Sequence, residues 1–329
     1  MVLSSTLFVS VLIGQAAIKS VSELEDKWRS DYPKAVSYWG SIMTNYEAVG
    51  HFSHHWRDGS TTVIDELTVA GLDERKLYIQ NRMKRVSDKI NDNRDTPGVS
   101  CRTPEYAFGL KKDVPSGRYL LMYHEKNEED EEARFNYWYG RYVKNATQYY
   151  GRSLMGRMLD STFSLKSIEK LERDGEELVR INYSCELKYV IESGSVDLDP
   201  NKNWGIRSVD TKTVVKKNNY TGFFKEEVAY REIEAGRFFP VHMESNERHV
   251  LNPEFYERTR IDFDRVKLGS ASPDLFRLSA YGIPDLPLRP EKRPTIFTFR
   301  NPVLWLSLAA TVACFTLLWR LRARRVETT

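Results

Sequence analysis

Cysteine is scarce in this chain, three residues in 329, and one of them, Cys314, lies inside an apolar run near the C-terminus. That scarcity excludes the disulfide framework that staples small exported domains. One bridge, between Cys101 and Cys185, stays open to the remaining pair in an oxidising compartment, although their spacing shows no proximity. An excess of one charge is also missing. The formal net charge is +3, and Arg300, Arg320, Arg322, Arg324 and Arg325 account for it at the C-terminal end. The stretch 18–299 is close to neutral, which argues against the basic footprint of a nucleic-acid-binding domain.

Catalytic signatures are missing as well. The sequence has no nucleophile elbow, no His-Glu-x-x-His, no Walker sequence and no glycine-rich phosphate loop. Ser167-Ile-Glu-Lys170 matches the Ser-x-x-Lys pattern of penicillin-interacting enzymes, but neither Ser-Asp-Asn nor Lys-Thr-Gly accompanies it, so the match reads as chance. The expectation is a protein that is not an enzyme and needs no cofactor.

Long hydrophobic runs are absent with two exceptions. Residues 303–319 are free of charge, from Val303 to Trp319, and Arg320, Arg322, Arg324 and Arg325 follow at once. As a helix this run covers about 25 Å, close to the hydrocarbon thickness of a bilayer. Trp305 and Trp319 fall at its two ends, where indole rings favour the interface, and Asn301 and Pro302 suit a helix start. The arginines assign the tail to the cytoplasmic side and everything before Arg300 to the other side. The second run, 7–17, has the length and the small residues of a secretory signal, without a Lys or Arg ahead of it. The expected organisation is a signal peptide (1–17), an extracytoplasmic body (18–283), a proline-rich linker (284–300), a transmembrane helix (301–319) and a cytoplasmic basic tail (320–329).

Within the body, Ser22-Glu-Leu-Glu25 reads as a capping box that opens a short amphipathic helix, with a second helical stretch at 34–45 after Pro33. Beyond it the pattern turns to strands. Residues 51–57 and 61–69 flank Asp58-Gly59, a dipeptide suited to a type I′ hairpin turn. Further strand candidates are 77–83, 119–123, 179–191, 205–216, 223–233, 238–247 and 256–268, many separated by turn residues such as Asp174-Gly175 and Asp199-Pro200-Asn201. A helix is expected from about Ser153, and the acidic run 125–132 reads as a solvated loop. Strands joined by tight turns indicate an antiparallel sheet and an α+β fold.

Several segments together carry a resemblance. They are Thr103-Pro-Glu-Tyr106-Ala-Phe108 through Lys111 to Arg118-Tyr-Leu-Leu121, Asp174-Gly175 through Val179-Arg180, Val196-Asp-Leu-Asp199-Pro200 through Trp204, Gly236-Arg-Phe-Phe-Pro240, and Phe276 through Tyr281-Gly282-Ile-Pro284. They resemble secreted proteins of environmental bacteria that are similar in turn to the outer-membrane lipoprotein carrier (LolA-like) fold. The resemblance implies a curved antiparallel sheet, a half-barrel, with helices on its concave side. It further implies that 199–204 is a hairpin connection and that Tyr281-Gly282 closes the last element. A carrier must diffuse between membranes, so the C-terminal anchor departs from the pattern. By this resemblance the concave face would hold a lipid, a lipoprotein acyl group or an apolar peptide. A sensor or assembly factor that binds another envelope protein is the alternative, and an exported hydrolase a third.

Two groups of side chains are candidates for chemistry. His51, His54 and His55 form the one histidine cluster; on a strand, alternation separates them, whereas on a helix the spacing suits zinc. Tyr137, Trp138, Tyr139 and Tyr142 could line a ligand cavity or supply core, the more frequent fate of aromatic side chains on alternating strand faces.

Overall fold

The computed structural model describes residues 3–86, 91–92, 98–126, 139–140, 142–143, 146–149, 152–187, 190–217, 220–250 and 252–286, with side chains from Glu23 onward except at 82, 91–92, 152, 220, 249 and 252–255. The chain divides into two units, Met1–Leu286 and Pro287–Thr329. The second unit, which contains the expected anchor with Val303, Trp305, Trp319, Arg320, Arg322, Arg324 and Arg325, lies outside the described residues, as do Tyr137 and Trp138. Among the described residues no helix is long and apolar enough to cross a membrane.

One helix, α1 (Leu3–Ile42), opens the first unit. Strands β1 (Asn45–His55), β2 (Thr61–Leu72), β3 (Arg75–Val86), β4 (Asn91–Asp92), β5 (Gly98–Arg102), β6 (Tyr106–Lys112) and β7 (Tyr119–Lys126) follow. A small hairpin of β8 (Gln148–Tyr149) and β9 (Arg152–Ser153) leads into a short helix, Leu154–Met158, whose N-cap Ser153 accepts from the Gly156 amide at 2.9 Å. The second strand series is β10 (Ser164–Arg173), β11 (Glu176–Leu187), β12 (Val190–Asp199), β13 (Gly205–Val215), β14 (Tyr220–Glu234), β15 (Arg237–His249) and β16 (Asn252–Leu268). Two 3₁₀ turns, Pro273–Phe276 and Leu278–Tyr281, close the unit, with Gly282 left-handed at φ 74° behind the second.

The sheet is a curved, open, antiparallel sheet in the order β10-β11-β12-β13-β14-β15-β16-β1-β2-β3-β5-β6-β7, with β4 paired off the path to β3. Both series are meanders, and the long-range pairing of β16 with β1 joins them: His54 lies opposite Thr259 and Phe52 opposite Ile261. At a bulge in this pairing Gly50 is required, because a Cβ there would lie 1.9 Å from the Asp262 carbonyl oxygen. The turn expected at Asp174-Gly175 joins β10 to β11 with both residues left-handed, Asp174 at φ 55° and Gly175 at φ 79°. The Asp58-Gly59 loop is different: of the two only Gly59 is left-handed, and the Asp58 carboxylate accepts from the Ser60 amide at 2.9 Å. The single strand expected over 179–191 is two, β11 and β12, paired to each other.

Helix α1 also departs from expectation. The capping box at Ser22 does not begin a helix, and Pro33 does not end one. Trp28, Tyr32, Ala35, Trp39 and Ile42 form a fully buried stripe at helical spacing, while Pro33 is exposed. Continuity of that stripe outweighs the hydrogen bond lost at Pro33, which lies with Arg29, one turn earlier, on the exposed side of the helix.

The face under α1 is the inner face. Two core clusters fill it: one under Trp39 and Ile42 with Tyr46, Phe52, Phe239 and Phe263, and one under Trp28 and Tyr32 with Ile181, Val196 and Ile206. A third lies on the opposite face of β2–β6, where Ala70, Leu77, Cys101 and Phe108 pack under Phe276 and Leu278 of the C-terminal strap. The outer face of β10–β14 is a polar ladder. There Arg180 grips Asp197 at 2.7 and 2.9 Å, and Ser208 donates to the same carboxylate at 2.7 Å.

Candidate functional site

Glu192 is the charge that interrupts the apolar inner stripe of β12, where Val196 and Leu198 are its same-face neighbours. It lies opposite Cys185 on β11 and Thr213 on β13. The short helix Leu154–Met158 places Arg157 above it. Arg157 is buried and clamps the Glu192 carboxylate with two bonds, Nε to Oε1 at 2.6 Å and Nη2 to Oε2 at 3.0 Å. Its guanidinium lies 3.9 Å from the centre of the Tyr149 ring. The hydroxyls of Tyr149 and Tyr183 bond to each other and to Glu192 Oε1. A buried ion pair thus carries a full set of hydrogen bonds, the condition under which such a pair is tolerated.

The electrostatics follow from this closure. Burial opposes the charged form of Glu192, but the Arg157 guanidinium and the two tyrosine hydroxyls outweigh it and hold the carboxyl below its ordinary value. Burial raises the hydroxyls of Tyr149 and Tyr183, with the Glu192 charge adding to the effect. Neither tyrosine is poised to lose a proton near neutrality, and Glu192 is held as an anion with its acceptors occupied. The arrangement suits a structural clamp between the 149–158 segment and the sheet better than acid–base chemistry.

Two polar groups at the edge of this cluster stand apart. Trp28 Nε1 and Tyr32 Oη, one turn apart on α1, are fully buried and without a hydrogen-bond partner. A buried hydroxyl without a partner costs about 1–3 kcal/mol, so Tyr32→Phe is expected to leave stability unchanged or raise it by up to about 1 kcal/mol. Tyr183→Phe removes a hydroxyl bonded to a carboxylate and is expected to cost about 1.5–3 kcal/mol. Urea unfolding midpoints of the two variants check the pair; a larger loss for Tyr32→Phe would mean that its hydroxyl has a partner.

The residues singled out from sequence are dispersed. His51, His54 and His55 sit on β1, and alternation separates them as a strand requires. His54 is buried with Nδ1 2.8 Å from Thr259 Oγ1. His51 faces Asp264 at 3.0 Å, and His55 Nδ1 lies 3.1 Å from Thr61 Oγ1. Among the described residues no group of three or more His, Cys, Asp or Glu side chains could hold a metal ion. Tyr139 and Tyr142 are core: the Tyr139 hydroxyl bonds to that of Tyr46 and reaches the Ala70 carbonyl at 3.3 Å. Tyr142 accepts from Gln80 Nε2 at 2.5 Å and packs edge-on against Phe52 at 4.8 Å.

The bridge between Cys101 and Cys185 is corrected. Both thiols are free and buried. Cys101 on β5 belongs to the cluster under the strap and Cys185 on β11 to the cluster under Trp28, with nine steps of strand order between them. Burial raises both thiols. Ser167 and Lys170 lie on β10, where a three-residue spacing sends them to opposite faces; Lys170 pairs with Glu177 at 2.7 Å and Ser167 accepts from Asn182 at 2.8 Å.

Sequence reasoning passed over Arg157, Glu192, Tyr149 and Tyr183. The signal that could have found them is the carboxylate in the inward register of an otherwise apolar strand, since such a group must have a buried partner.

No family model and no curated protein matches the chain. Among solved structures, one chain of the Pseudomonas aeruginosa MucA/MucB complex is similar at 10% identity over 72% of this chain and 100% of that one, with a TM-score of 0.14. A second, MucB in complex with MucA(peri), is similar at 10% identity over 74% of this chain and 99% of that one, with a TM-score of 0.12. At such scores the likeness carries no inference about this chain.

Proposed function

We propose that this chain is a membrane-anchored, extracytoplasmic binding protein whose ligand is another envelope protein and which performs no catalysis. The observation that carries the choice of ligand is the filled inner face. Two clusters of the protein's own side chains occupy it beneath α1, and the strap covers the opposite face of β2–β6, so an acyl chain would have to displace α1 with its stripe of buried aromatics. The anchor rests on the charge-free run 303–319 and the arginines behind it. That topology leaves residues 18–283 extracytoplasmic and the tail cytoplasmic. The near-neutral body supports the absence of nucleic acid among its partners. A hydrolase is disfavoured because the buried carboxylate, guanidinium and phenols are spent on one another.

Native mass spectrometry of residues 18–286, purified without detergent, tests the choice. A clean apo mass and no saturable uptake of a fluorescent fatty acid are expected. Co-purified lipid or saturable uptake would return the lipid-binding reading. Protease added to intact spheroplasts is expected to digest the body and spare an epitope on the tail, and protection of the body would reverse the topology.

A further inference from the structure

Strand β7 ends the sheet order, and it exposes apolar residues. Leu120 is 53% and Met122 62% exposed, and Val114, in the loop before the strand, is 59% exposed. The loop is built to hold that valine out. The Asp113 amide donates to the Arg118 carbonyl at 2.8 Å, the Gly117 amide to the Asp113 carbonyl at 2.8 Å, and Asp113 Oδ2 accepts from the Ser116 amide at 3.2 Å. Between residues 111 and 122 lie three basic residues, Lys111, Lys112 and Arg118, and one acid, Asp113. Lys111 lies opposite Leu120 across the hairpin, so a cation and an apolar side chain share one face at the end of the sheet, in the cross-strand row of Gly98, Gln80 and Leu67. Such a pairing of charge and apolar area suits the boundary between anionic headgroups and acyl chains.

The place where the chain leaves the body favours that occupant over any other. Tyr119 and Leu121, the strand neighbours of Leu120, point to the other face and pack on the cluster under the strap, and the Tyr119 ring lies 5.4 Å from that of Tyr281. Five residues later the chain exits at Leu286, itself 44% exposed. Asp285 pins the exit, bonding to Arg277 at 2.7 Å and to the Ser279 amide at 3.1 Å. Residues 287–300 then span at most about 50 Å before the apolar run begins. The β7 edge is therefore tethered next to the point from which the anchor's linker departs. A patch too weak to bind a membrane from solution is effective when the bilayer is held at such short range.

We infer that the β7 edge, through Val114, Leu120 and Met122 flanked by Lys111 and Arg118, seats the body on the anionic bilayer surface. This rests on the anchor reading of 303–319. The test uses the full chain in vesicles of neutral and anionic phospholipid, with Cys314→Ser and a nitroxide at Met122→Cys. A second label at Lys170→Cys on β10, at the opposite end of the sheet order, is the reference. The nitroxide at 122 is expected to collide more with dissolved oxygen and less with a water-soluble nickel chelate than the one at 170. Leu120→Glu should return the value at 122 to that of the reference. Equal accessibilities at 122 and 170 in protein that resists alkaline carbonate extraction would overturn the seating alone. Release of the protein by carbonate would overturn the anchor reading and the seating with it.

Discussion

Glu192→Ala is expected to destabilise the body by about 3–5 kcal/mol, because it leaves the Arg157 guanidinium buried without a counter-charge. Removal of one partner of a buried pair costs more than the pair contributes, so the double variant Arg157→Met with Glu192→Leu is expected to recover most of the loss. Urea unfolding of residues 18–286 measures both. A double variant as unstable as the single one would show that the clamp, rather than the uncompensated charge, determines the effect. Acid adds a second signature. The Glu192 carboxyl titrates lower in the folded chain than its ordinary 4.5, so its contribution is fully present above that value and is lost as pH falls through the folded pKa. The stability gap between the parent and Glu192→Gln is therefore expected to hold at neutral pH and to narrow as the pH falls below the ordinary 4.5.

The clamp also shows where sequence reasoning stops. Local signals were legible: Asp174-Gly175 between alternating runs marks the β10–β11 hairpin, Asp199-Pro200 the connection to β13, and Ser153 the cap of a short helix. Each depends on a few consecutive residues whose backbone preferences agree with the fold. What remained hidden depends on contacts between distant residues. The pairing of β16 with β1 closes more than two hundred residues of chain, and no local pattern specifies it. Pro33 was misleading for the same reason, because its local cost is fixed while the tertiary gain of the Trp28–Ile42 stripe cannot be seen from the helix alone. The division of 179–191 into two strands failed differently: apolar and polar residues alternate without a break from Val179 to Tyr189, and no Gly or Pro marks the turn between Leu187 and Val190.

Trp39→Ala is expected to cost about 3–5 kcal/mol, the range for truncating a fully buried aromatic residue. Its effect should also concentrate at one place. The Trp39 indole donates to the Asn203 carbonyl at 3.0 Å, and its ring lies 5.2 Å from that of Tyr230, whose hydroxyl donates to the Ile206 carbonyl at 2.7 Å. Asn203 and Trp204 are consecutive left-handed residues, at φ 51° and 53°. Asparagine tolerates that region, whereas a buried tryptophan is held in it at a cost of about 1–3 kcal/mol. Gly205 follows because a Cβ there would lie 2.9 Å from the Tyr230 ring and 3.1 Å from Trp39. Helix α1 and the β12–β13 connection therefore hold each other: the strained backbone presents its carbonyl to the indole, and the indole fills the space that the turn encloses. In Trp39→Ala the amides of 203–206 should lose hydrogen-exchange protection well before the rest of β13. Trp39→Phe keeps much of the ring but loses the hydrogen bond, and should cost about 1–2 kcal/mol with an intermediate loss of protection. Uniform loss of protection across β13 in Trp39→Ala would mean that the left-handed pair is maintained by the sheet itself and that α1 merely covers it.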